Sequence, residues 1–140
     1  MSTDAPAVLI VEDSEDMQYL LQRVLDRVAP ADAIERFTAC NADEAIHHLQ
    51  RLQTDRPLLV LCDHRMPGMT GVELYDQARA RFTAPGAAFH LFTSAGSPVQ
   101  ERQAAEAGIH AVHEKPFGLQ NWESLLARIF KEWGQIPAKA

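Results

Sequence analysis

The sequence predicts a single α/β domain, a three-layer (βα)5 sandwich around a five-stranded parallel sheet. Three observations predict it. Short apolar, β-branched runs alternate with segments of helical periodicity, five times over. The 140 residues fit one domain. Strands separated by helices must pair in parallel, with right-handed crossovers that cover both sheet faces.

Residues 7–11 (AVLIV) form an unbroken apolar run, as expected of a strand buried on both faces. Met17, Leu20, Leu21, Val24, Leu25 and Val28 then recur at helical spacing, with Ser14 or Asp13 as the cap. A shorter strand is predicted over 33–39. Asn41 precedes Glu44 by three residues, a capping-box-like start for a helix over 42–52. The third strand is 58–62, and a Gly-rich loop leads into a third helix over 72–82. The fourth strand is 88–92. Ser97 followed by Pro98 suits a helix start and Gly108 a helix end. A fifth strand over 109–113 and an amphipathic helix over 121–133 complete the pattern. In that helix Trp122, Ile129, Phe130 and Trp133 read as core packing. The domain is expected over 7–133, with 134–140 as a loose tail.

The formal net charge of −6 argues against a nucleic-acid or anionic-membrane surface. No apolar run approaches a transmembrane length, and the N-terminus lacks a basic region before its short apolar stretch. A cytoplasmic location is the expectation. Cys40 and Cys62 lack metal-site spacing, and Cys62 reads as a small buried hydrophobe.

In open parallel sheets, ligands bind beyond the carboxyl ends of the strands. Glu12 and Asp13 follow the first strand there, and Asp63 follows the third. Thr93 and Ser94 follow the fourth, and Glu114, Lys115 and Pro116 the fifth. Singly these are caps and loop residues. Together they describe a site. Two carboxylates about 4 Å apart repel by roughly 4 kcal/mol near a protein surface. Three in one pocket call for a cation, and for oxygen ligands that cation is Mg²⁺. Lys115 is the one lysine of three within the βα core, a compact charge for a phosphate oxygen. Such a constellation suits an Asp63 that accepts a phosphoryl group.

These pieces resemble a known family. VLIVED (8–13), LCDHRMPGMTG (61–71), LFTSA (91–95) and EKPF (114–117), in that order, are similar to the response-regulator receiver domains of two-component signalling. The resemblance covers about residues 8–133. It implies a flavodoxin-like sheet with strand order 2-1-3-4-5. It implies that Asp63 is the phosphoacceptor and that Glu12, Asp13, Asp63 and the backbone carbonyl of Arg65 hold Mg²⁺. Thr93 is then the switch hydroxyl, Lys115 the phosphoryl contact, and Lys115–Pro116 a cis bond. The donor is a sensor histidine kinase or a histidine phosphotransfer protein. The target is a protein that docks on helix four, strand five and helix five, with no direct nucleic-acid or membrane contact. The chain is expected to act as a monomer or a phosphorylation-dependent homodimer, and as a stand-alone receiver rather than one excised from a longer chain.

Two residues depart from the family pattern. Val112 stands where an aromatic switch residue is common, and Arg65 lies two residues past Asp63. A phosphohydrolase resembling haloacid dehalogenases needs an acid at the Arg65 position. A nucleotide-binding domain needs a Gly-rich loop after the first strand. Neither is present. A degenerate, phosphate-independent interaction module is the alternative that Val112 keeps open. His64, beside Asp63, reads as non-catalytic. His113 reads as packed on the sheet face opposite to Val112.

Overall fold

The computed structural model describes residues 5–30, 32–94, 98–109 and 111–136. In chain order it runs β1 (Ala7–Val11), α1 (Glu15–Val28), β2 (Glu35–Ala39), α2 (Ala42–Arg51), β3 (Leu58–Asp63) and α3 (Gly71–Gln77). A 3-10 turn (Arg79–Thr83), β4 (Ala87–Thr93), α4 (Pro98–Ala107), β5 (Ala111–Glu114) and α5 (Leu119–Trp133) follow. The strands form one parallel sheet in the order β2-β1-β3-β4-β5. Both the (βα)5 architecture and the 2-1-3-4-5 order match the expectation.

Side-chain alternation divides the interior into two cores. Ala7, Leu9 and Val11 of β1 join Val60, Leu91, Leu74 and Ala104 on the face covered by α2, α3 and α4. Val8 and Ile10 join Leu61, Phe92, Leu25, Leu126 and Ile129 on the face covered by α1 and α5. All five residues of β1 are fully buried, which explains its unbroken apolar run. Trp122 and Trp133 are core residues, as expected.

Ser14 caps α1, its hydroxyl accepting from the Met17 N–H. Asn41 caps α2, while the Glu44 carboxylate accepts from Cys40 N–H rather than from the cap itself. The strongest start is one the sequence reading missed: Thr70 and Glu73 form a complete capping box on α3.

Helix three is shorter than the predicted 72–82. Ala78 leaves helical geometry at φ −102°, ψ 12°, and its N–H is shared between the Leu74 and Tyr75 carbonyls. The tightened turn carries Phe82 onto Tyr75 and Phe89, and Arg81 Nη2 then donates to the Gln53 and Arg56 carbonyls. Strand five starts at Ala111 rather than 109. Gly108 (φ +95°) and Ile109, whose N–H bonds to the Ala104 carbonyl, are used in leaving α4. The Pro98 start of α4 agrees with the prediction, whereas the Ser97 cap lies outside the described residues.

Candidate functional site

Sheet register assembles the site. Val11 pairs with Cys62, so Glu12 and Asp63, the next residue of each strand, emerge side by side. Asp63 in turn pairs with Phe92, and Thr93 with Glu114, so Thr93 and Lys115 leave adjacent strands at the same edge. The Lys115 N–H bonds to the Thr93 carbonyl at 2.9 Å, and the His64 N–H to the Phe92 carbonyl at 2.9 Å. Main-chain bonds thus run across the floor of the site from β3 to β5.

Carboxylate oxygens of Glu12, Asp13 and Asp63 lie within 4.8 Å of one another. Glu12 and Asp63 are buried and Asp13 is exposed. Lys115 Nζ stands 3.1 Å from Asp63 Oδ1 and 4.0 Å from Glu12 Oε1. Burial raises the Glu12 carboxyl to about 7. The Ser14 N–H, donating to Glu12 Oε2 at 3.0 Å, opposes that rise, and the charge of Asp63 adds to it. A carboxylate held so close to its neutral form is under-compensated by Lys115 alone. The donor set, three carboxylates with one compact ammonium, fits a hard divalent cation such as Mg²⁺.

Thr93 is almost wholly buried, and its hydroxyl donates to the His113 carbonyl at 3.5 Å. Val112 is half-buried and packs toward the α4 face, while His113 turns to the opposite face, as alternation requires. Arg65 extends its side chain into solvent beside Asp63. The His64 imidazole is buried, with Nδ1 lacking a partner among the described residues, and burial lowers its pKa.

The Lys115–Pro116 bond is not cis, contrary to the expectation; no cis peptide occurs among the described residues. X–Pro bonds prefer trans by about 0.5–1 kcal/mol unless the surroundings select the other isomer. Sequence reading also missed the residues that brace the site. Gln18 donates from its side chain to the Glu12 carbonyl, and Ser14 bonds the Glu12 carboxylate. Gly71 lies against the strand ends: a Cβ there would sit 2.4 Å from Leu91 Cδ1 and 3.0 Å from the Asp63 carbonyl oxygen. The Gly in MPGMTG was the available signal, but it could equally have served a turn.

A doubly wound parallel sheet with an acid trio and a lysine at its carboxyl edge defines a receiver-type phosphoacceptor scaffold. The model of the response regulator receiver domain matches residues 8–128, and the chain belongs to that family. It is 27% identical to the chemotaxis protein CheY of Pseudomonas aeruginosa over 124 residues, 89% of this chain and 95% of that protein. It is 30% identical to Protein PetR of Rhodobacter capsulatus over 137 residues, 98% of this chain but 52% of PetR. It also matches the hydrogenase transcriptional regulatory protein HoxA of Cupriavidus necator at 38% over 82 residues, 59% of this chain and 15% of HoxA. The chain therefore spans all but the ends of some relatives and only a part of others.

Among solved structures, the phosphorylated cyanobacterial phytochrome response regulator RcpA superposes with a TM-score of 0.78 at 17% identity, covering 97% of this chain and 99% of that one. The receiver domain of Ssk1, co-crystallised with the histidine phosphotransfer protein Ypd1 of Saccharomyces cerevisiae, gives 0.72 at 25% identity, covering 94% and 90%. Receiver domains are signalling phosphoacceptors that bind Mg²⁺ at an acidic pocket and interact with histidine kinases and phosphotransfer proteins. Among the described residues no helix is long and apolar enough to cross a membrane.

Proposed function

We propose that this receiver is phosphorylated on Asp63 by a phosphohistidine of a sensor kinase or phosphotransfer protein. The phosphorylated form then acts as a protein-interaction switch. One observation carries the reading: Glu12, Asp13 and Asp63 converge within 4.8 Å at the sheet edge while Lys115 reaches Asp63 at 3.1 Å.

In the reaction, an Asp63 carboxylate oxygen attacks phosphorus in line. The P–N bond to the donor imidazole breaks, its electron pair stays on that nitrogen, and the ring, protonated on its other nitrogen, leaves as neutral imidazole. Glu12, Asp13 and Asp63, with the Arg65 carbonyl, would hold Mg²⁺, which supplies charge neutralisation for the transferring oxygens. Lys115, 3.1 Å from Asp63 Oδ1, provides a fixed positive charge beside the attacking carboxylate. Thr93 can exchange its long bond to the His113 carbonyl for one to the new phosphoryl oxygens, and so release β5 at that carbonyl. The surface of α4, β5 and α5 receives that motion and is the proposed target site. We read the protein as a cytoplasmic receiver over 7–133, monomeric or dimerising on phosphorylation.

Val112 favours a second reading, a phosphate-independent interaction module, because valine has no ring to swing inward with Thr93. Intact mass before and after acetyl phosphate decides between the two. A single phosphoryl adduct that needs Mg²⁺ and is absent in Asp63→Asn supports the switch. No adduct under conditions where Mg²⁺ binding is demonstrated supports the module.

A further inference from the structure

A second cavity lies at the other end of the sheet, remote from the carboxylates. It has a volume of about 370 Å³, the size of a small-ligand site. Four aromatic residues wall it: Tyr75, Phe82 and Phe89 on one sheet face and Trp133 on the other. The first three form a packed triad, with ring centroids 5.2–5.6 Å apart. Trp133 is held by its indole N–H, which donates to the Gly86 carbonyl at 2.7 Å.

Among the described residues, pairing of β4 with β5 runs from His90 to Thr93, and Ala87, Ala88 and Phe89 line the opening. The Gly86 and Phe92 carbonyls face β3 and the Thr93 carbonyl faces β5. Alternation along the strand therefore turns the Ala87 carbonyl toward the open side.

The polar groups at this opening are mainly acceptors. Glu132 reaches it from α5 and makes no salt bridge among the described residues. His90 lines it too, with Nδ1 bonded to His113 Nε2 at 2.8 Å, and burial keeps His90 neutral. Aromatic rings, a carboxylate without a salt bridge among the described residues and a carbonyl turned outward describe a receptor for an organic cation. A guanidinium fits best, since its planar face stacks on rings while its N–H fork meets carboxylate and carbonyl. Tyr75 already carries such a contact on another side, with the Arg79 guanidinium 5.4 Å from its ring centroid.

We propose that this cavity binds a guanidinium group, stacked among Tyr75, Phe82 and Trp133 and paired with Glu132. The group belongs either to free arginine or to an arginine side chain of a partner peptide. The site is independent of Asp63 chemistry, so it stands or falls apart from the phosphorylation reading.

The test is an NMR titration that follows the Trp133 indole N–H, with the Trp122 indole as internal control. The probes are free arginine, N-acetyl-arginine N-methylamide and, as neutral comparison, N-acetyl-glutamine N-methylamide. A saturable shift of Trp133 alone with an arginine probe, weakened tenfold or more in Glu132→Gln and in Phe82→Ala, supports the site. Saturation by the amino acid alone assigns a free ligand, and saturation by the blocked form alone assigns a peptide. No saturable shift, equal response to the glutamine compound, or unchanged affinity in Glu132→Gln overturns the proposal.

Discussion

The Lys115 ammonium lies 3.1 Å from Asp63 Oδ1 and 4.0 Å from Glu12 Oε1, joining the end of β5 to the ends of β3 and β1. Within the described residues it is the cation that meets the acid cluster directly. The cluster is thus balanced by one charge where three acids meet, which leaves it reactive toward a second cation.

Lys115→Met should slow acyl-phosphate formation on Asp63 by tenfold or more, equivalent to about 1.4 kcal/mol of transition-state stabilisation. Intact mass against time with acetyl phosphate and Mg²⁺ checks this. A wild-type rate in the variant would remove Lys115 from the chemistry.

Glu12→Gln should stabilise the metal-free protein at pH 8. The folded-state pKa of about 7 lies above the unfolded value near 4.5, so the stability present below 4.5 is lost as pH rises through 7. Glutamine escapes that loss, which amounts to roughly 2–3 kcal/mol. Urea unfolding in EDTA should show the gain at pH 8 and almost none below pH 4.5. The same variant should bind Mg²⁺ more weakly.

The His90–His113 pair should act in the opposite sense. Burial holds His90 down to about 4 and lowers His113 as well. A depressed folded-state value means that stability is present above the unfolded value near 6.5 and is lost as pH falls toward 4. For His90 alone this is about 3 kcal/mol. Unfolding across this window, in a Glu12→Gln background to cancel the opposing effect, should give a steep acid limb. Replacing both histidines with leucine should flatten it.

Gly71→Ala should destabilise the fold by about 1–3 kcal/mol, because the new methyl group overlaps Leu91 and presses on the Asp63 carbonyl. Thermal unfolding tests it. Phosphorylation should also slow, since the displaced main chain is the one that presents Asp63.

The His90–His113 contact illustrates what sequence reading could not reach. Their rings are coplanar, 2° apart, with centroids 5.1 Å apart and nitrogens at 2.8 Å. That is an in-line hydrogen bond between adjacent strands rather than face-to-face stacking. The face on which His113 lies was legible from alternation. Its partner was not, because that depends on the β4–β5 register. The truncated α3 and late β5 were hidden for a related reason: local periodicity runs through Ala78 and Ile109, and only packing of Phe82 and the exit from α4 interrupts it.

Periodicity and composition were enough to establish the five strands, their parallel pairing and the acids, hydroxyl and lysine at one edge. These follow from backbone geometry, which repeats every 2 or 3.6 residues and leaves its mark locally. Tertiary structure decided which side chains meet: the 3.1 Å approach of Lys115 to Asp63, the closeness of Gly71 to Leu91, and the aromatic cavity beneath β5. Those contacts join residues far apart in the chain. They are set by strand register and helix docking, where a shift of one residue moves a side chain to the other face.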